Sequence, residues 1–254
     1  MRCANPLHWP TAMWPCSTHT LLQLRPNQQF CGISIKALHP NEKKATQKPT
    51  KKPSPKKLSL ILPQTPHKMT ENKRFEKIDF SLTPLPLDTY TDCQFIHCKF
   101  EETDLSGWTF EECRFTDCNL SLSKLRHTAF KDATFHNCKL VGLIFSDCNP
   151  FLFEVAFTNC NLHLSSFYGC RLKATKFTKC DLKEVDFTQA DLTGASFSES
   201  DLYRSIFDQS KLETADFRNA HRYSIDPSRN RIRKARFSTD GLAGLLDSFG
   251  IRID

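Results

Sequence analysis

The chain has 254 residues, of which 39% are hydrophobic and 25% charged, enough for one large domain or two small ones with a packed core. No apolar run reaches the roughly 18 residues that a membrane-spanning helix needs, which argues against a membrane partner. Twelve cysteines are compatible with disulfides, metal sites or small core residues, and the net charge of +7 with nucleic acid or a membrane surface as a partner. The 21 phenylalanines far outnumber the 4 tyrosines and 3 tryptophans.

Residues 1–68 form a basic, proline-rich extension. They hold 10 of the 14 prolines, and 11 lysines and arginines against one acid, Glu42. This composition buries too little apolar surface to offset its ordering entropy, so we predict disorder. An organelle transit peptide and a translation start at Met69 stay open as alternatives. The residues from 69 onward carry a net charge of −3, so we expect no specific nucleic-acid binding by the folded part.

A five-residue period fills the chain from about residue 75 to residue 237. Steps of five over 95–145 and over 157–217 meet phenylalanine or leucine at all 24 positions. The two series are offset by two residues near 149–152, where we expect a short bulge. Residues two before these positions are mostly small, and the other three of each unit are mostly polar. No helix or single strand has a period of five, so each unit buries one large and one small side chain and then turns.

These units resemble those of the pentapeptide-repeat family, and ADLTG at 190–194 and CDLKE at 180–184 are among the best copies. The resemblance implies an all-β fold, a right-handed quadrilateral β-helix with four units in each coil of twenty residues. Residues twenty apart then stack about 4.8 Å apart, and about eight coils give a rod on the order of 38 Å long. One face stacks phenylalanines from Phe95 to Phe237 into a ladder.

The pattern divides the chain into three parts. We predict the extension at 1–68, the β-helix at 69–237 and a C-terminal capping or dimerisation helix at 238–254. In this last part Ser238 or Thr239 is a candidate N-cap, and Gly250 is a candidate end of the helix. Its apolar residues fall at helical spacing: Leu242, Leu245, Leu246 and Phe249. This stripe has two candidate roles, covering the open end of the last coil or forming a dimer interface.

Nine of the twelve cysteines fall at the small inward position of the repeat. Five of these nine stack in one row: Cys98, Cys118, Cys138, Cys160 and Cys180. We predict buried, reduced thiols that act as small hydrophobic residues, which favours a cytoplasmic protein over a secreted one. The stacked acids Asp181 and Asp201 resemble a paired-carboxylate site, but the family places acids there for structural reasons. With no catalytic motif and every histidine of the repeats at an outward or corner position, we predict no enzyme, no cofactor and no metal site.

Residues 223–254 are similar to the tail of Qnr-type quinolone-resistance proteins, a branch of the same family. The similarity implies a homodimer through the C-terminal stripe and a DNA mimic that binds type II topoisomerases, DNA gyrase or topoisomerase IV. Residues 181–217 hold nine acids against three bases, whereas 218–254 has a net charge of +4. The partner-binding candidates are these nine acids: Asp181, Glu184, Asp186, Asp191, Glu199, Asp201, Asp208, Glu213 and Asp216.

One feature departs from the Qnr-type pattern. Proteins of that branch that protect gyrase carry projecting loops between coils, whereas this chain interrupts its period by only two residues. The resemblance therefore does not extend to protection from drugs through a loop. A β-helical scaffold or adaptor for another protein partner stays open as the alternative function.

Overall fold

The computed structural model describes residues 69–84 and 86–251, so the predicted extension at 1–68 lies outside the described residues. The described part forms a parallel sheet of short strands that winds around one core. The strands are β1 Met69–Glu71, β2 Arg74–Glu76, β3 Thr89–Thr91, β4 Gln94–Ile96, β5 Thr109–Glu111, β6 Arg114–Thr116, β7 Ala129–His136, β8 Phe153–Thr158 and β9 Phe177–Thr178. Three 3-10 helices accompany them: η1 Phe145–Asp147, η2 Thr239–Leu245 and η3 Asp247–Phe249.

Residues twenty apart in sequence are neighbours in the structure. Phe95 of β4 pairs with Phe115 of β6 in a parallel register, and beyond the strands single bridges such as Asp181 to Asp201 continue the same shift. Each five-residue unit ends in a corner, at which residues such as His97 adopt a left-handed backbone conformation (φ 51°). Four such units complete one coil of twenty residues. The chain therefore has the predicted fold, a right-handed quadrilateral β-helix.

The predicted phenylalanine ladder forms the centre of the core. The rings of Phe95 and Phe115 stack with centroids 4.8 Å apart, and those of Phe177 and Phe197 with centroids 5.2 Å apart. Burying one such side chain contributes about 1.5–3 kcal/mol. Repetition of this contact along the rod therefore stabilises the coils against one another. The ladder consists of Phe75, Phe95, Phe115, Phe135, Phe157, Phe177, Phe197, Phe217 and Phe237.

The predicted two-residue offset is a bulge between β7 and β8. Phe130 pairs with Phe153, but Ala133 pairs with Val155, so the register changes between these two pairs. Phe153 fills the core while Phe151 is 92% exposed. The extra residues are thus turned outward, and the ladder continues without a break.

The nine cysteines of the described part are free thiols, as predicted, and all but Cys170 are fully buried. Six of the nine sulfurs donate to main-chain carbonyls of the preceding coil, as in the 3.3 Å contact from Cys118 Sγ to the Phe95 oxygen. Burial raises the pKa of Cys113 and of Cys170 to about 12. These two thiols therefore stay protonated at neutral pH and are poor nucleophiles.

The C-terminal segment is helical as predicted, but it winds as the two 3-10 helices η2 and η3 and not as an α-helix. Ser238 occupies the N-cap position of η2, as predicted for one of the two candidates, but its side chain makes no capping hydrogen bond. Gly250 ends η3 with a φ of 62°, as expected of a helix end. No helix in the described ranges has the length and apolar character to cross a membrane.

Candidate functional site

The nine acids predicted to bind a partner encircle the late coils. Asp181, Asp186 and Asp191 lie five residues apart and therefore on successive faces of the β-helix. Asp181 and Asp201 are neighbours on one face, joined by a bridge across the coils. The structure therefore distributes the candidate acids around the rod and does not bring all of them together in one patch.

Eight of the nine acids have a lysine or arginine nitrogen within 4.0 Å, Asp186 being the exception among the described residues. The pairs are Asp181–Lys183, Glu184–Arg204, Asp191–Lys173, Asp191–Lys211, Glu199–Lys179, Asp201–Lys183, Asp201–Arg222, Asp208–Arg229, Glu213–Arg231 and Asp216–Arg218. The negative charge counted over 181–217 is thus largely balanced at short range.

The register of the β-helix explains where the balancing cations come from. Lys211 follows Asp191 by twenty residues and contacts it at 3.5 Å across one coil step. Arg222 follows Asp201 by twenty-one residues and forms an ion pair with it. A search for acids and bases about twenty residues apart would have found these pairs from the sequence.

Hydrogen bonds favour the ionised form of two of the paired carboxylates, Asp201 and Asp216. Burial alone would raise the pKa of Asp201, but hydrogen bonds from Arg222 and from the main-chain N–H of Tyr203 outweigh burial, and the pKa is lowered. At Asp216, hydrogen bonds from Arg218 likewise lower the pKa. Between neighbouring coils, pairs such as Asp201–Arg222 therefore act as electrostatic links.

We expect these links to make the late coils sensitive to acid. A carboxylate with a lowered pKa in the folded state stabilises that state above its unfolded pKa of about 4, and this contribution is lost as the pH falls further. Asp201→Asn removes one such link and should lower the melting temperature at pH 7, by an amount that shrinks as the pH falls through the lowered pKa of Asp201. Melting curves from pH 2 to pH 7 measure this difference. Equal loss at both ends of the range contradicts it.

The apolar side chains of the C-terminal segment do not all face the same way. Leu245 is partly buried and packs against the core. Leu242 and Phe249 are exposed, and Leu246 is half-buried. Of the four candidate residues, Leu245 thus faces the core, and the other three face outward to different degrees.

Two glycines fix the position of this segment, which sequence reasoning missed. Gly241 and Gly244 are three residues apart and lie on one side of the 3-10 helix η2. A Cβ atom added at Gly244 would lie 2.0 Å from the main-chain oxygen of Tyr223, and one at Gly241 would lie 2.1 Å from the Tyr223 hydroxyl. Gly244 also accepts a 2.8 Å hydrogen bond from the Ile225 N–H. The Gly-x-x-Gly spacing was the available signal.

Metal ligation finds no support in the part of the chain that the structure describes. No group of three histidine, cysteine or acidic side chains converges there in a way that could hold an ion. The histidines of the repeats lie at outward or corner positions, as predicted, and none is fully buried.

Comparison with known proteins agrees with the repeat pattern. The family model "Pentapeptide repeat region" matches residues 89–151 and 149–217, about half of the chain. The fold and the repeats thus define a pentapeptide-repeat β-helix, and the chain belongs to the pentapeptide-repeat family. Curated protein sequences give no significant match.

Solved structures with some likeness include other repeat proteins. A trypsin-treated form of QnrB1, a plasmid-mediated fluoroquinolone resistance protein, is 21% identical (TM-score 0.46; 74% of this chain and 92% of that one are covered). HetL, involved in heterocyst differentiation regulation in the cyanobacterium Nostoc sp. strain PCC 7120, is 14% identical (TM-score 0.42; 65% and 84%). Rfr23 of the cyanobacterium Cyanothece 51142 is 18% identical (TM-score 0.25; 55% and 88%). At these values none of the three carries an argument about function.

Proposed function

We propose that this chain is a non-catalytic interaction protein whose β-helix surface binds a protein partner in the cytoplasm. The main support is the division of roles within each repeat. Two of five positions fill the core, so the other three face outward and are free to vary without loss of the fold. Such a surface is long, and its side chains can be matched to a partner without disturbing the core, which suits protein recognition. The free thiols support a reducing compartment.

The first partner that we propose is a type II topoisomerase, DNA gyrase or topoisomerase IV, bound by mimicry of DNA. The support is the resemblance of residues 223–254 to Qnr-type proteins, together with the acidity of 181–217. The ion pairs weigh against a strong negative field, because a paired carboxylate attracts a cationic groove less than a free one. To bind through Asp201 or Asp216, a cationic group of the partner must displace the arginine that is paired with that aspartate, Arg222 or Arg218.

Supercoiling by purified gyrase, with and without a quinolone, tests this partner using the full-length protein. We expect inhibition or an altered drug response at micromolar protein, and a weaker effect after Asp186→Asn with Glu199→Gln. Glu101→Gln with Glu112→Gln removes the same charge from earlier coils and is the matched control. No effect of the native protein on either reaction contradicts the topoisomerase proposal.

The alternative is a scaffold or adaptor for a different protein, and the ion pairing of eight candidate acids favours it. A surface of balanced charges recognises a partner by the shape and pattern of its side chains more than by net charge. Affinity capture that returns one reproducible partner and no topoisomerase supports this alternative.

We also propose that the chain forms a homodimer through its C-terminal helix. Leu242 and Phe249 are exposed while the neighbouring Leu245 is anchored to the core, so the helix presents apolar side chains from a fixed position. Apolar side chains in fixed positions are what a self-complementary twofold interface needs.

Leu242→Arg is therefore expected to give a folded monomer, because the proposed apolar interface would have to bury an unpaired charge. Leu246→Arg should act in the same way. Light scattering after size-exclusion chromatography measures the mass, and Ile206→Arg, at an exposed position on the β-helix, should leave the dimer intact. A native protein that is monomeric, or a Leu242→Arg protein that stays dimeric, refutes the assignment.

A further inference from the structure

Apolar side chains cluster on one face in the middle of the rod. Leu122, Ile144 and Leu164 are each more than half exposed, and Val141 beside them is half-buried. The N–H of Leu122 donates to the Val141 oxygen, that of Gly142 to the His163 oxygen and that of Leu164 to the Lys183 oxygen, so Leu122, Gly142 and Leu164 follow one another up the same corner. Ile144 lines the same surface hollow as Leu122 and Gly142. We call Leu122, Val141, Ile144 and Leu164 the mid-rod patch.

Folding does not account for leucine at these corners. Leu122 and Leu164 have left-handed backbones, with φ of 58° and 59°, a conformation that costs a residue with a Cβ roughly 1–2 kcal/mol. Corners at equivalent positions mostly carry polar residues, such as Glu102, Asp117 and Asn137. Leu122 and Leu164 are therefore neither buried nor suited to the turn, which is typical of residues retained for contact with another molecule.

Acids bracket the mid-rod patch along the axis of the rod. Glu102 occupies the corner one coil before Leu122, and Glu184 occupies the corner one coil after Leu164. Glu102 is exposed, and Glu184 is only at the 4.0 Å limit from Arg204. The centre of this face is thus apolar with a glutamate at each end. Glu102 has no cation within 4.0 Å among the described residues, whereas Arg204 partly offsets Glu184. Lys124 and Arg126 lie beside Leu122. An apolar centre with charged ends is the arrangement of an interface core and its rim.

We propose that the mid-rod patch binds an amphipathic helix of a protein partner, laid along the rod, with basic side chains at both ends. Two coil steps separate Leu122 from Leu164, or about 10 Å, and four steps separate Glu102 from Glu184, or about 19 Å. A helix rises 1.5 Å per residue, so the partner carries two apolar residues about seven apart and basic residues about thirteen apart. Charge complementarity with the two glutamates selects a basic partner over an acidic one.

The inference rests on the proposed protein-binding function but not on the identity of the partner. Its test therefore uses a displayed library of helix-forming peptides and the full-length protein, without topoisomerase. The variant is Leu164→Asp, since aspartate tolerates the left-handed corner better than leucine and the protein should stay folded. The matched control is Ala174→Asp, an exposed left-handed corner ten residues further and thus on the opposite face.

We expect selected peptides to carry the two apolar and two basic residues at these spacings. Their affinity, measured by fluorescence anisotropy, should fall at least tenfold on Leu164→Asp and remain unchanged on Ala174→Asp. Peptides that enrich equally on the native protein and on Leu164→Asp overturn the proposal, as does a predominantly acidic consensus. If a topoisomerase binds the protein while these peptides do not, the proposed function stands, but the mid-rod patch is not the surface that carries it.

Discussion

Phe177→Asp is expected to prevent the β-helix from folding. Phe177 is fully buried between Phe157 and Phe197, with ring centroids 5.3 and 5.2 Å away, and the edges of the Phe167 and Phe187 rings close the site. A carboxylate there finds no cation and cannot reach water, so its desolvation adds to the roughly 3–5 kcal/mol lost with the ring. This sum approaches the whole stability of an ordinary domain. Far-UV circular dichroism and the soluble yield measure the outcome.

Two control substitutions distinguish the effect of the new charge from the effect of losing the ring at Phe177. Phe177→Leu keeps an apolar side chain in a fold whose other faces already stack leucines, so it should remain folded with a lower melting temperature. Thr178→Asp places the same charge on the adjacent, partly exposed residue and should be close to neutral. A folded Phe177→Asp protein would show that the ladder tolerates local opening, contrary to the continuous packing described above.

Gly244→Ala is expected to release the C-terminal segment from the end of the rod. The new methyl group would overlap the main-chain oxygen of Tyr223, and main chain cannot move aside as a flexible side chain can. Displacing η2 breaks the hydrogen bond from Ile225 and uncovers the surface under Leu245. Limited proteolysis should then cut the chain within 238–251, and the proposed dimer should dissociate.

Gly169→Ala is the control for the glycine itself. Gly169 has a positive φ, but a Cβ atom added to it would have no other atom within 4 Å, so only the backbone cost of about 1 kcal/mol remains. A Gly244→Ala protein that resists proteolysis as well as the Gly169→Ala protein does would show that the segment is not anchored on Tyr223.

The five-residue period predicted which side chains are buried because each unit repeats one local rule, and the resemblance of these units to the pentapeptide-repeat family implied the β-helix. Given its coil of twenty residues, the ladder, the cysteine row and the bulge near 149–152 all follow from counting along the chain, without knowledge of distant contacts. The 3-10 winding of the C-terminal segment was not predicted, because it depends on how closely Gly241 and Gly244 approach Tyr223. Helical spacing alone does not reveal such a contact.

The sequence predicts the surface charge of the late coils less well than the core. Counting charges over 181–217 treats the segment as isolated, although Arg218 and Arg222 contact it from the residues that follow. Electrostatics depends on distances through space, and in this β-helix the nearest opposite charges are either two residues away, as in Asp216–Arg218, or about twenty residues away, as in Asp201–Arg222. The net charge of a stretch shorter than two coils is therefore a poor guide to the field of its surface.

The twenty-residue register also determines how such a molecule can change its length. If a whole coil were removed between Phe95 and Phe135, Phe95 would meet a ring of the same kind in the same orientation. Removing a single five-residue unit would instead rotate all later faces by a quarter turn, so that the phenylalanine ladder would continue onto a row of leucines. Whole coils are therefore the natural increments of growth, and the mid-rod patch and the C-terminal helix could move apart or together in steps of one strand spacing while each keeps its own structure.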